Sequence, residues 1–146
     1  MSTTRPNALA CALRGFFSDH LPRVRGMSPH TVCSYRDAFV LLLRFLAARR
    51  RCAVLKLDFD DLTPDAILAF LDHLESERKN TAATRNARLA AIHAFASCAV
   101  MNQPEQMELC QRIRAVPFKR ARARLVEYLE AGEVRAVLDA PDRETA

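Results

Sequence analysis

The stretch SPHTVCSYRDAFVLLLRFLAARRR, residues 28–51, decides the fold class. Ser28 can accept a backbone N–H as an N-cap, and Pro29 suits the first helical position, where no amide hydrogen is needed. Val32, Tyr35, Phe39, Leu42 and Leu46 then recur at three- and four-residue steps as one apolar stripe, which is the period of an α-helix and not of a strand. Val40, Leu41, Leu43 and Phe45 widen that stripe almost to a full turn, predicting a central, largely buried helix. Only its first turns, carrying His30, Thr31, Ser34 and Arg36, keep enough polar surface to face something other than protein. Arg49, Arg50 and Arg51 close the helix, where cations complement the negative end of the macrodipole; that reading outweighs a phosphate clamp.

The same period recurs on both sides. Asn7 caps a first helix with Leu9, Leu13, Phe16, Phe17 and Leu21 on one face, ending near Pro22 and followed by a link, PRVRGM. Beyond the arginines, VLKLDFDDL (54–62) alternates apolar and polar residues like a strand but has no second strand to pair with, so it predicts an extended connector. Thr63 and Pro64 repeat the cap-plus-proline signal before a third helix, with Ile67, Phe70, Leu71 and Leu74 inward and acids outward. A fourth helix runs from about Thr81 or Thr84 to Met101, with Leu89, Ile92, Phe95, Ala96 and Val100 inward and Asn86, His93 and Ser97 along another side. A fifth begins after Pro104, directs Met107, Cys110 and Ile113 inward, and stops before Pro117. The expected fold is all-α, a compact bundle of four to five helices; 3 glycines in 146 residues argue against a sheet protein.

Charge is polarised. The formal net charge is +5, and the pI is near 9.3. Arg78, Lys79, Arg85 and Arg88 lie in a stretch without an acid, as do Arg112, Arg114, Lys119, Arg120, Arg122 and Arg124, whereas acids crowd between Asp58 and Glu77. A basic side suits a polyanionic partner, and the alternative is a set of solvated helix faces. The 5 cysteines have no metal-ligand spacing, and no two histidines pair on a helix, so no metal or cofactor is expected. No apolar run reaches the roughly 20 residues that span a bilayer, nor does the N-terminus carry a signal-peptide core, so a soluble cytoplasmic protein is expected.

In order and spacing, SPHTVCSYRDAFVLLLRFL, TPDAILAFLDHL, TAATRNARLAAIHAF and PFKRARARLVEYLEAGEVRAVLDAPD together resemble the N-terminal core-binding, SAM-like domain of tyrosine recombinases, the phage integrase family. The resemblance covers nearly the whole chain. It implies a core-binding domain over residues 1–116, a basic interdomain linker over 117–127, and the opening helix of a truncated catalytic domain over 128–146. Glu130 departs from the Ser or Thr cap usual before that helix. The resemblance also implies that this domain and a catalytic domain clamp duplex DNA between them, with the second and fourth helices facing the duplex. The implied contacts are Thr31, Tyr35 and Arg36, then Thr84, Arg85 and Arg88, and Lys119 and Arg120 in the linker, with Asn86 and His93 weaker candidates. Other recombinase protomers on DNA are the implied protein partners.

Hydroxyls, amides and arginines near helix N-termini suit phosphate oxygens, and arginine can also address a guanine edge. Each residue has a second reading. Tyr35 sits on the apolar stripe and can be a core ring; Arg36 and Arg88 can pair with acids; Arg85 lies in line with the inward stripe, in a first turn where it can project past the core. The family's catalytic residues belong to the absent domain, and Tyr35 and Tyr128 are not in the setting of its tyrosine nucleophile, so no catalysis is expected of this fragment. A helical protein-interaction module using the first and fourth helices is the alternative. A helix-turn-helix regulator fits less well, because neither junction near the basic region has a short glycine-bearing turn.

Overall fold

A computed structural model of the chain describes residues 7–120. Five α-helices follow in order within them: α1 (Ala8–Gly15), α2 (Pro29–Arg50), α3 (Pro64–Ser76), α4 (Ala82–Asn102) and α5 (Met107–Arg114). No strand occurs among the described residues, and the fold is all-α. The linker beyond Arg120 and the short helix expected within 132–142 lie outside the described residues.

Side-chain caps set the helix starts. Asn7, Ser28, Thr63 and Thr81 each accept an N–H three residues on, from Ala10, Thr31, Ala66 and Thr84 respectively, which satisfies one of the orphan donors of a first turn. The first helix ends near Pro22, at Val24, but not as one continuous α-helix. After Gly15 its winding widens into a π-helical segment, Phe16–Val24, with Pro22 inside it and Phe16 and Leu21 both buried. Only Arg25, Gly26 and Met27 remain of the expected link, turning at Gly26 with φ 60°, which costs glycine no Cβ clash.

The connector also differs from expectation. It is wound into two 3₁₀ turns, Val54–Lys56 and Phe59–Asp61, and is not extended. Two carboxylates make the difference: Asp58 Oδ1 accepts the Phe59 N–H at 2.9 Å, and Asp61 Oδ2 accepts the Asp58 N–H at 2.9 Å. With no neighbouring strand, these side chains satisfy amides that a ladder would otherwise take. Asp58 Oδ1 also accepts the Leu9 N–H at 3.2 Å, tying the start of α1 to the connector.

α2 is capped by Arg51, whose φ of 58° is left-handed. The Cys52 N–H reaches the Ala47 carbonyl at 3.0 Å and the Arg51 N–H the Ala48 carbonyl at 3.3 Å, a closure more often built on glycine. Arg50 does more than oppose a dipole, since it pairs with Asp61 at 2.8 Å and so holds the connector under the helix end.

The core is an aromatic spine. The Phe95 ring on α4 meets Phe16 at 5.5 Å and Phe39 at 5.3 Å, both edge-on, and stacks on Phe59 at 6.1 Å. One side chain therefore joins the π-helical segment, α2, the connector and α4. Two inward assignments fail: Val40 is 38% exposed, so α2 keeps an open outer face, and Met107 is 46% exposed. Met107 opens α5, while Cys110 and Ile113, three and six residues later, carry its buried stripe.

Candidate nucleic-acid interface

α2 and α4 begin alike. Ser28 and Thr31 form one hydroxyl pair, 3.0 Å apart, and Thr81 donates to the Thr84 hydroxyl at 3.1 Å in the other. In each, a cap residue and the residue three later share a hydrogen bond, with no acid in either first turn. α3, by contrast, carries Asp65 there. A first turn lined by hydroxyls and free of carboxylates keeps its positive dipole end, and the N–H groups that its cap does not take, available to an anion.

α4 offers two polar flanks. On one, Thr84 and Arg88 fall within about 20° of Phe95 at about 100° per residue, in the N-terminal turns of the side that enters the core; with Ala87 they face Ser34, Asp37 and Ala38 of α2 across a cleft of about 130 Å³. Thr31 and Tyr35 lie on the α2 rows that lead to this cleft, and Tyr35 is half-buried against the core. Arg88 is steadied by Asn80, whose Oδ1 accepts from its Nε at 3.3 Å. Asp37 places a carboxylate in the cleft that sequence reasoning did not single out. Arg36 does not join this group: it is exposed, about 200° around α2 from Ser34.

Asn86 and His93 occupy the other flank of α4, against the segment that leaves α5. The Asn86 amide meets the backbone of Lys119 twice, its Nδ2 donating to the carbonyl at 2.6 Å and its Oδ1 accepting the N–H at 2.9 Å. His93 Nε2 lies 3.0 Å from the Val116 carbonyl, and its ring packs edge-on to Phe118 with centroids 5.0 Å apart. Burial lowers the His93 pKa below its ordinary 6.5, with nearby Arg114 adding to the effect; hydrogen bonds to the Val116 and Ile113 backbone oppose it.

Arg85 does not project past the core. It is 6% exposed, and its Nη1 donates to Asn86 Oδ1 at 3.0 Å and to the Pro117 carbonyl at 3.3 Å. Its Nε lies 3.5 Å from Glu75 Oε1, within ion-pair reach but outside hydrogen-bond geometry, while Lys119 Nζ takes the other Glu75 oxygen at 2.9 Å. Glu75 is thus a site residue that its place among the acids of α3 did not reveal. Arg120 is exposed at the end of this segment.

Residues 15–103 match the family model of the phage integrase N-terminal SAM-like domain, and the chain belongs to that family. Two Sinorhizobium fredii proteins are similar to it at 42% identity. One, named "Putative integrase/recombinase y4rC", aligns over 97% of this chain and 43% of its own length; the other, "Putative integrase/recombinase y4rD", over 94% and 49%. The chain thus spans less than half the length of these relatives. No solved structure matches it. Among the described residues there is no group of His, Cys, Asp or Glu arranged to hold a metal ion, and no helix is long and apolar enough to cross a membrane.

Proposed function

We propose that this chain is the DNA-binding arm of a tyrosine recombinase, gripping one side of a duplex through the N-terminal halves of α2 and α4. The observation that carries this reading is the cleft between those helices, which sets Ser34, Thr84 and Arg88 beside one another at two acid-free helix starts. Thr31, Thr84, Arg88 and the first-turn amides hold phosphate oxygens, Tyr35 borders the contact, and Arg36 reaches the backbone from the outer side of α2. Lys119 and Arg120 carry the basic linker along the duplex. Residues 1–116 form the binding domain, 117–127 the linker and 128–146 the opening of a catalytic domain, which supplies the strand-cleaving residues. Other protomers meet this one on DNA.

Fluorescence anisotropy of a labelled duplex, titrated at several salt concentrations, tests the reading. If about six phosphates are neutralised, log affinity falls with log salt at a slope near −5. Binding that is absent at low salt, or indifferent to salt, sinks it. One observation favours a protein partner elsewhere: a cleft of about 410 Å³ between the first helical segment and the end of α4 is rimmed by Val24 and Met101, the latter 74% exposed. Association that survives high salt, without DNA, is the outcome specific to that second reading.

A further inference from the structure

We infer that Asn86 is a latch for the linker and not a DNA contact, and that the polar flank of α4 sets the direction in which the chain leaves this domain. An asparagine amide carries the same donor and acceptor as a peptide group. Here it pairs with both the N–H and the carbonyl of one residue, Lys119, as a neighbouring strand would. Arg85 fixes the latch from behind: its Nη1 donates to the same Oδ1 that accepts the Lys119 N–H, which sets the amide's orientation, and it also holds the Pro117 carbonyl. His93 grips the residue before Pro117 and the one after it, through the Val116 carbonyl and the Phe118 ring. Glu75, from α3, takes the Lys119 ammonium and faces Arg85.

Four consecutive residues, Val116 to Lys119, are therefore held by side chains from two helices. A segment held at this many points leaves the domain in one direction. The role for DNA rests on the clamp reading, since the held segment is the one that delivers Lys119 and Arg120. The latch itself does not, because every contact in it is within this chain.

Limited trypsin digestion of the full 146-residue chain, quantified by mass spectrometry, tests the latch without DNA. Cleavage after Lys119 or Arg120 requires the segment to unhook, whereas cleavage after Arg25, in the exposed turn before α2, reports on a region the latch does not touch. Loss of the two exposed hydrogen bonds to Lys119, together with the partly buried one from Arg85, in Asn86→Ala should speed cleavage at Lys119 and Arg120 about fivefold to tenfold, with the rate at Arg25 unchanged. Asn86→Asp, which keeps an acceptor for the Lys119 N–H but has no N–H for its carbonyl, should fall between the two. Phe118→Ala, a change at an exposed ring, should give the same selective acceleration and serves if Asn86→Ala fails to fold. Linker cleavage that is unchanged, or that rises only in step with Arg25, overturns the latch. Failure of the wild-type chain to bind duplex overturns the clamp reading instead and leaves the trypsin contrast standing.

Discussion

The two flanks of α4 are built from similar residues and put to different uses. On the α2 side, Thr84 and Arg88 border a cleft and bond only to near neighbours, Thr81 and Asn80. On the linker side, Arg85, Asn86 and His93 bond across 23 to 33 positions of sequence to Val116, Pro117 and Lys119. A polar residue bonded only to near neighbours keeps donors for a partner, whereas one bonded across the fold holds the chain together. Arg85 and Arg88, three residues apart, fall on opposite sides of that distinction.

Breaking what both flanks share has the largest effect. Phe95→Ala removes the ring on which the π-helical segment, α2 and the connector converge, and should cost about 3–5 kcal/mol in chemical denaturation. A loss below about 1 kcal/mol would mean that the spine relaxes around the gap.

Arg85→Ala and Arg88→Ala sharpen the contrast directly. Arg85→Ala should cost about 1–3 kcal/mol, because a buried cation leaves behind the Pro117 carbonyl and Glu75. Arg88→Ala should leave stability within about 0.5 kcal/mol while weakening duplex binding and reducing the salt slope by about 1. The same stability cost for both variants would erase the distinction between flanks. Asp37→Asn removes a carboxylate from the cleft that phosphate would approach and should tighten binding about twofold to threefold at low salt; weaker binding would instead mark Asp37 as an organiser of the site.

The smallest effect is titration of the linker flank. The folded pKa of His93 lies below its ordinary 6.5 because the ring is partly buried, with Arg114 facing it from α5. The unfolded chain therefore takes up the proton first. This contribution to stability is complete above about pH 6.5 and is lost as pH falls from there through the lowered folded value. In His93→Gln that component should be missing from the pH dependence of unfolding, and an unchanged profile would exclude His93 as its source.

Much of the fold is legible in local chemistry. The cap residues Asn7, Ser28, Thr63 and Thr81 and the apolar periods fix the helices because both signals act over a few residues. What escaped is set by longer-range or subtler terms. The π-helical winding of Phe16–Val24 places Phe16 and Leu21 together in the core, a widening that an apolar period near 3.6 does not report. The connector's alternation, strand-like in sequence, yields to carboxylate caps when no second strand is present. For the site, the hydroxyl starts of α2 and α4 could be read directly. Asn86 and His93 could be seen on a polar side of α4, but their partners lie in a segment that only the folded chain brings alongside. Glu75 carried no signal of its own.

Asn86 grips residue 119 by its backbone alone. Nothing in that grip reads the lysine side chain, and any residue with an N–H, which means any but proline, can be held in the same way. The Asn86 grip therefore survives a change of side chain at position 119, whereas the Glu75 contact does not: without a cation there, Glu75 is left with Arg85 alone.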